Sequence, residues 1–133
     1  MNIFAPLAEG RIPRRYSAGQ VIYLQGTTAH EFYYLIQGTA RSYISSPSGG
    51  ERILTIHHTG DLMGEASFFD ECPRVSSAIA VTECEIVSIN REHLDHVFQV
   101  HSDLYCIIAS QAPYGILSCV SKYRVTPHNT LIK

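Results

Sequence analysis

Nine residues after a Gly64–Glu65 corner, in the segment GEASFFDECPR, the chain places a single arginine, Arg74, and follows it with Val75, Ser76, Ser77 and Ala78. A guanidinium among small neighbours is either solvated or placed for an anion. Holding a phosphate diester inside a β-roll needs a fixed positive fork, which arginine supplies through planar donors that match phosphate oxygens two at a time. It also needs backbone N–H groups aimed inward, which a glycine followed by a short helical turn provides. Small residues then let the ligand approach the backbone. Gly64, the turn around ASFFD, Arg74 and VSSA meet all three conditions. Glu65 fits as the acceptor for a ribose hydroxyl, because a carboxylate beside the phosphate itself would repel it. A purely structural reading stands beside this one: Arg74 pairs with Glu65, Asp70 or Glu71, and Glu65 is a surface-turn acid.

Other chemistries fit the sequence less well. His57 and His58 are adjacent, and adjacent strand residues point to opposite faces, so both cannot ligate one interior metal without a bulge. The cupin spacing, two histidines one residue apart and then a glutamate, is absent, which argues against a cupin-like metalloenzyme and against enzyme function. The four cysteines, Cys72, Cys84, Cys106 and Cys119, include no C-x-x-C pair. That spacing gives no zinc, iron–sulfur or thioredoxin-like site, and no metal or cofactor is expected.

These residues need a scaffold, and the composition supplies one. The chain has 133 residues, 45% hydrophobic and 17% charged, enough for one domain with a core. A formal net charge of −2 does not suit a nucleic-acid backbone, although RIPRRY at 11–16 is locally basic. There is no apolar run of membrane length and no signal-peptide pattern at the start, so a cytoplasmic location is expected. From about residue 12 to 90 the segments QVIYLQG, EFYYLIQG, TARSYISS, ERILTIHH, VSSAIAVTE and CEIVSIN read as short strands separated by glycines, with SPSGG as a hairpin turn. The expected fold class is mainly β, an antiparallel sandwich or jelly roll with flanking helices. Asn90 is placed to cap a helix presenting Leu94, Val97 and Phe98 on one face, and Ser102 to cap a second. In the second helix Leu104, Ile107, Ile108, Ile116, Leu117 and Val120 make an apolar face, interrupted at Pro113 and Gly115.

Gly-Glu, a short helix, Pro-Arg and small residues together resemble the phosphate-binding cassette of the cyclic-nucleotide-binding domain. Residues 12–123, in particular FYYLIQGTARSYISSPSGGERILTIHHTGDLMGEASFFDECPRVSSAIAVTECEIVSINREHL, resemble the sensor half of the Crp/Fnr family of bacterial transcription regulators. The resemblance implies a jelly-roll sensor over 1–101, a dimerisation helix over 102–124 and a tail over 125–133. It implies an effector such as cAMP or another cyclic nucleotide, a homodimer, and DNA contact only through a helix-turn-helix domain. The nine residues after Arg124 are too few for that domain, leaving an excised sensor half or a stand-alone module as alternatives. Carried over by position, Gly64 and Ala66 offer backbone amides, Glu65 takes the ribose hydroxyl and Arg74 the phosphate, with Ser67, Val75 and Ser76 beside them. Val75 keeps its N–H but has no hydroxyl to offer. On one strand face Thr55 and His57 are candidates to line the cavity near the base, His57 being otherwise a satisfied sheet histidine. The adenine-facing part of the long helix falls near Cys119 and Val120, where cAMP-responsive relatives carry hydroxyls. The family also includes haem and iron–sulfur sensors, but no cysteine or histidine pair here has ligand spacing.

Overall fold

A computed structural model describes residues 4–104. Eight strands run β1 (Arg14–Tyr16), β2 (Val21–Tyr23), β3 (Glu31–Gln37), β4 (Ala40–Ser45), β5 (Glu51–His57), β6 (Leu62–Met63), β7 (Ser77–Ala80) and β8 (Cys84–Asn90). Two helices, α1 (Glu65–Asp70) and α2 (Arg91–Val100), and a short 3-10 turn at Ala5–Ala8 flank them. The strands form two four-stranded sheets, in the orders β1-β8-β3-β6 and β2-β7-β4-β5, with every pairing antiparallel. This is the mainly β jelly roll that the strand spacing predicts.

The nearly unbroken apolar run of β3 follows from burial on both of its faces. Alternation sends Tyr33 and Leu35 to one side, where they meet Ile86 and Met63 of their own sheet and Tyr23, Ala40, Ala78 and Ala80 of the other. It sends Phe32 and Tyr34 to the opposite side, with Val87 and Ile89 of β8. There they pack against Leu7, against Phe68 and Phe69 of α1, and against Leu94, Val97 and Phe98 of α2. One sheet thus separates two cores. The small side chains Ala40, Ala78 and Ala80 allow the sheets to approach. At the β3–β4 corner Gly38 adopts φ +115°, and a Cβ there would stand 2.6 Å from the Glu83 carbonyl oxygen.

The SPSGG hairpin joins β4 to β5, with the Ser46 N–H donating to the Gly50 carbonyl at 2.8 Å. Asn90 caps α2 as its residue type predicts, its Oδ1 accepting from the His93 N–H at 2.8 Å. Strands β1 and β6 were not legible in the sequence, because Arg14–Tyr16 lacks the apolar run that marks β2 and the two residues of β6 are too few to show alternation. The basic segment before and within β1 makes local contacts. Arg11 donates to the Ser88 carbonyl at 3.2 and 3.0 Å, Arg14 lies over the Tyr16 ring, and Arg15 stands 3.6 Å from both Glu83 and Glu85.

Leu104, placed above on the apolar face of the second helix, is buried in the domain's own core beside Leu94, Val97 and Phe98. The Leu104 N–H donates to the His101 carbonyl at 3.0 Å, and residues 103–104 begin a helical turn. Residues 105–133, with most of the expected 102–124 helix, the 125–133 tail, Cys106 and Cys119, lie outside the described residues.

Candidate functional site

The corner between β6 and α1 is set by Gly64, which takes the left-handed conformation (φ 70°). A Cβ at Gly64 would lie 2.5 Å from Arg74 Nη1, so glycine is needed there for conformation and for space. The six-residue α1 has no side-chain cap at its start. Its hold on the domain comes from Phe68 and Phe69, whose rings lie 5.1 and 5.4 Å from that of Phe32 on β3. A second left-handed residue, Glu71 (φ 56°), ends the helix and turns the chain through Cys72 and Pro73 to Arg74.

Arg74 is only 3% exposed. Its backbone is fastened to the turn after β2, donating to the Thr27 carbonyl at 2.8 Å and accepting from the Gly26 N–H at 2.7 Å. Its Nη1 donates to the Gly64 carbonyl at 2.6 Å and its Nη2 to the Glu31 carbonyl at 2.5 Å, while Nε is buried without a partner. The guanidinium lies 4.5 Å from the Tyr23 ring centre and 5.5 Å from that of Tyr33. Those two rings are parallel and 5.6 Å apart. Arg74 takes part in none of the ion pairs of the described residues, and Glu71 meets Arg91 instead, at 3.6 Å. The structural alternative therefore takes a different form: backbone carbonyls, not carboxylates, hold the arginine.

Beside this corner lies a cavity of about 180 Å³. Of the residues singled out in the sequence, Thr55, His57, Gly64, Glu65, Ala66, Ser67, Val75 and Ser76 line it, and Arg74 sits behind Gly64, outside the lining. Cys119 lies outside the described residues. The Val75 N–H donates to Ser67 Oγ at 3.4 Å, tying the residue after Arg74 to α1. Tyr23, Ser42 and Leu54 also line the cavity and were not foreseen. Ser42 had a usable signal, since it stands opposite Thr55 in the β4–β5 register, but that register is not readable from either strand alone.

The cavity's electrostatics are unusual. Burial, the largest cause, raises the Glu65 carboxyl above its usual value of 4.5, with Asp61 adding and Arg74 opposing. Glu65 Oε2 is closed to water and has no partner. Burial pushes the Tyr23 hydroxyl up to about 12, and Glu65 reinforces it while Arg74 and Ser76 oppose it. An unsatisfied carboxylate oxygen and a glycine corner thus line one small cavity, with a fixed cation behind the corner. Together they can bind a ligand carrying an anion and a hydroxyl. Among the described residues no group of three or more His, Cys, Asp or Glu side chains could hold a metal, and no helix is long and apolar enough to cross a membrane.

Comparison with known proteins agrees with this fold. The CRP-like cAMP-activated global transcriptional regulator of Mycobacterium tuberculosis is 34% identical over 93 residues, covering 70% of this chain and 42% of that protein. The cyclic AMP receptor protein of Thermus thermophilus is 35% identical over 79 residues, covering 59% of this chain and 37% of that one. The chain thus spans about two fifths of these relatives. An uncharacterised protein of Haemophilus influenzae is 30% identical over 97 residues, covering 73% and 75% of the two chains. Among solved structures, the Thermus thermophilus catabolite activator protein superposes with a TM-score of 0.65 at 28% identity, covering 80% of this chain and 58% of that one. The sensor domain of the regulator DNR from Pseudomonas aeruginosa gives 0.69 at 25% identity, covering 84% and 80%. The cyclic nucleotide-binding domain family matches residues 13–101, most of the chain, and the protein belongs to that family.

Proposed function

We propose that this domain senses a nucleoside 3′,5′-cyclic monophosphate, cAMP or a close analogue, held in the cavity beside Gly64. The observation that carries the reading is the buried, unpartnered Oε2 of Glu65 in a cavity backed by Arg74. A ribose hydroxyl satisfies the first, and a cyclic phosphate against the Gly64–Ala66 amides draws on the charge of the second. Val75 and Ser67 close the phosphate end, and Thr55 and His57 stand where a base would lie. In this reading the protein is a regulator and not an enzyme, works in the cytoplasm, and dimerises through residues 102–124. Any contact with DNA runs through a helix-turn-helix domain and not through this sensor domain. Regulators among the relatives support this. The Haemophilus influenzae relative, three quarters of whose length matches, favours a second reading as a stand-alone cyclic-nucleotide-binding module.

The test is thermal unfolding with cAMP, cGMP, linear nucleotides and small organic anions. A ligand that binds only the folded state stabilises it by about 2.7 kcal/mol at a hundredfold excess over its Kd. A cyclic nucleotide should raise the melting temperature, and Arg74→Leu should abolish the rise. Because Arg74 also holds two backbone carbonyls, Glu65→Gln serves as the second variant. It should weaken ribose-bearing ligands while leaving simple anions unaffected. If no cyclic nucleotide shifts the wild-type transition, the reading is wrong.

A further inference from the structure

Glu65 is not the only group in the cavity whose hydrogen-bonding capacity the chain leaves unused. His57 lines the same cavity, and its Nε2 is buried without a partner. Thr55, two residues earlier on β5, shares its strand face, and Ser42 stands opposite Thr55 on β4. The sheet side of the cavity therefore presents an imidazole and two hydroxyls, grouped together and drawn from β4 and β5, outside the Gly64–Arg74 segment. A polar atom closed to water and left unpaired destabilises the fold, so its retention calls for a partner that the chain does not supply. Burial, the first cause, lowers the His57 pKa from 6.5, with His58 acting in the same sense and Asp61 opposing. A neutral imidazole has one nitrogen that donates and one that accepts. In the reading above the phosphate already has Arg74 and the corner amides for donors, and the ribose hydroxyl already has Glu65. What remains unmatched on such a ligand is the polar edge of its heterocyclic base.

We infer that His57 is a specificity-determining residue whose imidazole hydrogen-bonds the edge of a purine-type base, flanked by Thr55 and Ser42. The inference rests on the cyclic-nucleotide reading above and adds that the sheet reads the base by hydrogen bonding as well as by packing. Calorimetric titration tests it, using whichever of cAMP and cGMP binds more tightly and, in parallel, the abasic ribose 3′,5′-cyclic phosphate. The His57→Leu variant should lose about tenfold in affinity for the nucleotide, the size of one neutral hydrogen bond. Its affinity for the abasic ligand should stay within about twofold of wild type, a change too small to represent a lost hydrogen bond. The His57→Gln variant, which retains a donor and an acceptor, should recover part of the loss. Without ligand, His57→Leu should melt no lower than wild type, because the substitution removes an unpaired polar atom. Equal losses for both ligands, or no loss for the nucleotide, would overturn the role of His57 while leaving the cavity assignment intact. Wild-type protein that binds neither ligand would refute the cavity assignment itself, and the role of His57 with it.

Discussion

At the scale of single residues, exchange at the positions that shape the cavity has consequences that differ from residue to residue. Gly64→Ala puts a side chain into a left-handed conformation, a change of about 1–2 kcal/mol before any clash is counted. Its Cβ would also displace Arg74 Nη1, so urea unfolding should show a larger loss than the backbone figure alone. Glu65 gives a pH signature. Its carboxyl holds its proton more tightly in the folded chain than in the unfolded one. The stability it contributes is therefore complete below the unfolded value of 4.5 and is lost as the pH rises through the higher folded value. Glu65→Gln has no proton to lose, so relative to wild type it should gain stability as pH rises. The two proteins should melt at similar temperatures near pH 4, with the variant melting higher at pH 7; the opposite order at pH 7 would refute the burial argument. Much of the Gly64–Arg74 segment was legible in the sequence because its chemistry lies in residue types at fixed spacing. Tyr23 and Ser42 were not, since they arrive from β2 and β4 through pairings that no local pattern encodes. Glu31 could not have been foreseen at all, because it holds Arg74 through a carbonyl that every residue possesses.

At the scale of elements, α1 shows why the site depends on its surroundings. A six-residue helix does not persist in water without tertiary contacts, and α1 has only its aromatic face to hold it. Phe69 is fully buried against Phe32 and Phe68, and Phe69→Ala should cost about 3–5 kcal/mol. Much of that loss should appear as local opening of residues 64–74, read by hydrogen exchange. The capping bond at the start of α2 is worth less. Asn90→Ala should cost about 1 kcal/mol and leave cAMP affinity unchanged, because α2 contributes no residue to the cavity. Strands β3 and β8 were readable from their apolar runs, whereas β1 and β6 are visible only through the partners that pair with them. Leu104 shows what such a pattern leaves open. An apolar position at helical spacing does not reveal whether it faces a partner or its own domain, and only its burial beside Leu94, Val97 and Phe98 shows that Leu104 faces its own domain.

For the whole molecule, β3 and β8 share one sheet between two cores, so the helical layer and the cavity-bearing sheet are mechanically joined through the same strands. A ligand can shift that arrangement only by binding its alternatives unequally. The proposed pairing of two chains through residues 102–124 makes a direct expectation for light scattering: a dimer at high micromolar concentration, with or without cAMP. A strict monomer in both conditions would remove the pairing from the proposal. The parallel Tyr23 and Tyr33 rings beneath the Arg74 guanidinium have a further, optical consequence. The sequence contains no tryptophan, so the near-ultraviolet spectrum belongs chiefly to its tyrosines, and two of them lie stacked with a cation on their faces. Their transitions couple through space, and any shift of the guanidinium toward an incoming phosphate changes the field they absorb in. The protein thus carries its own chromophore at the site, and occupancy can be followed by near-ultraviolet circular dichroism without a label.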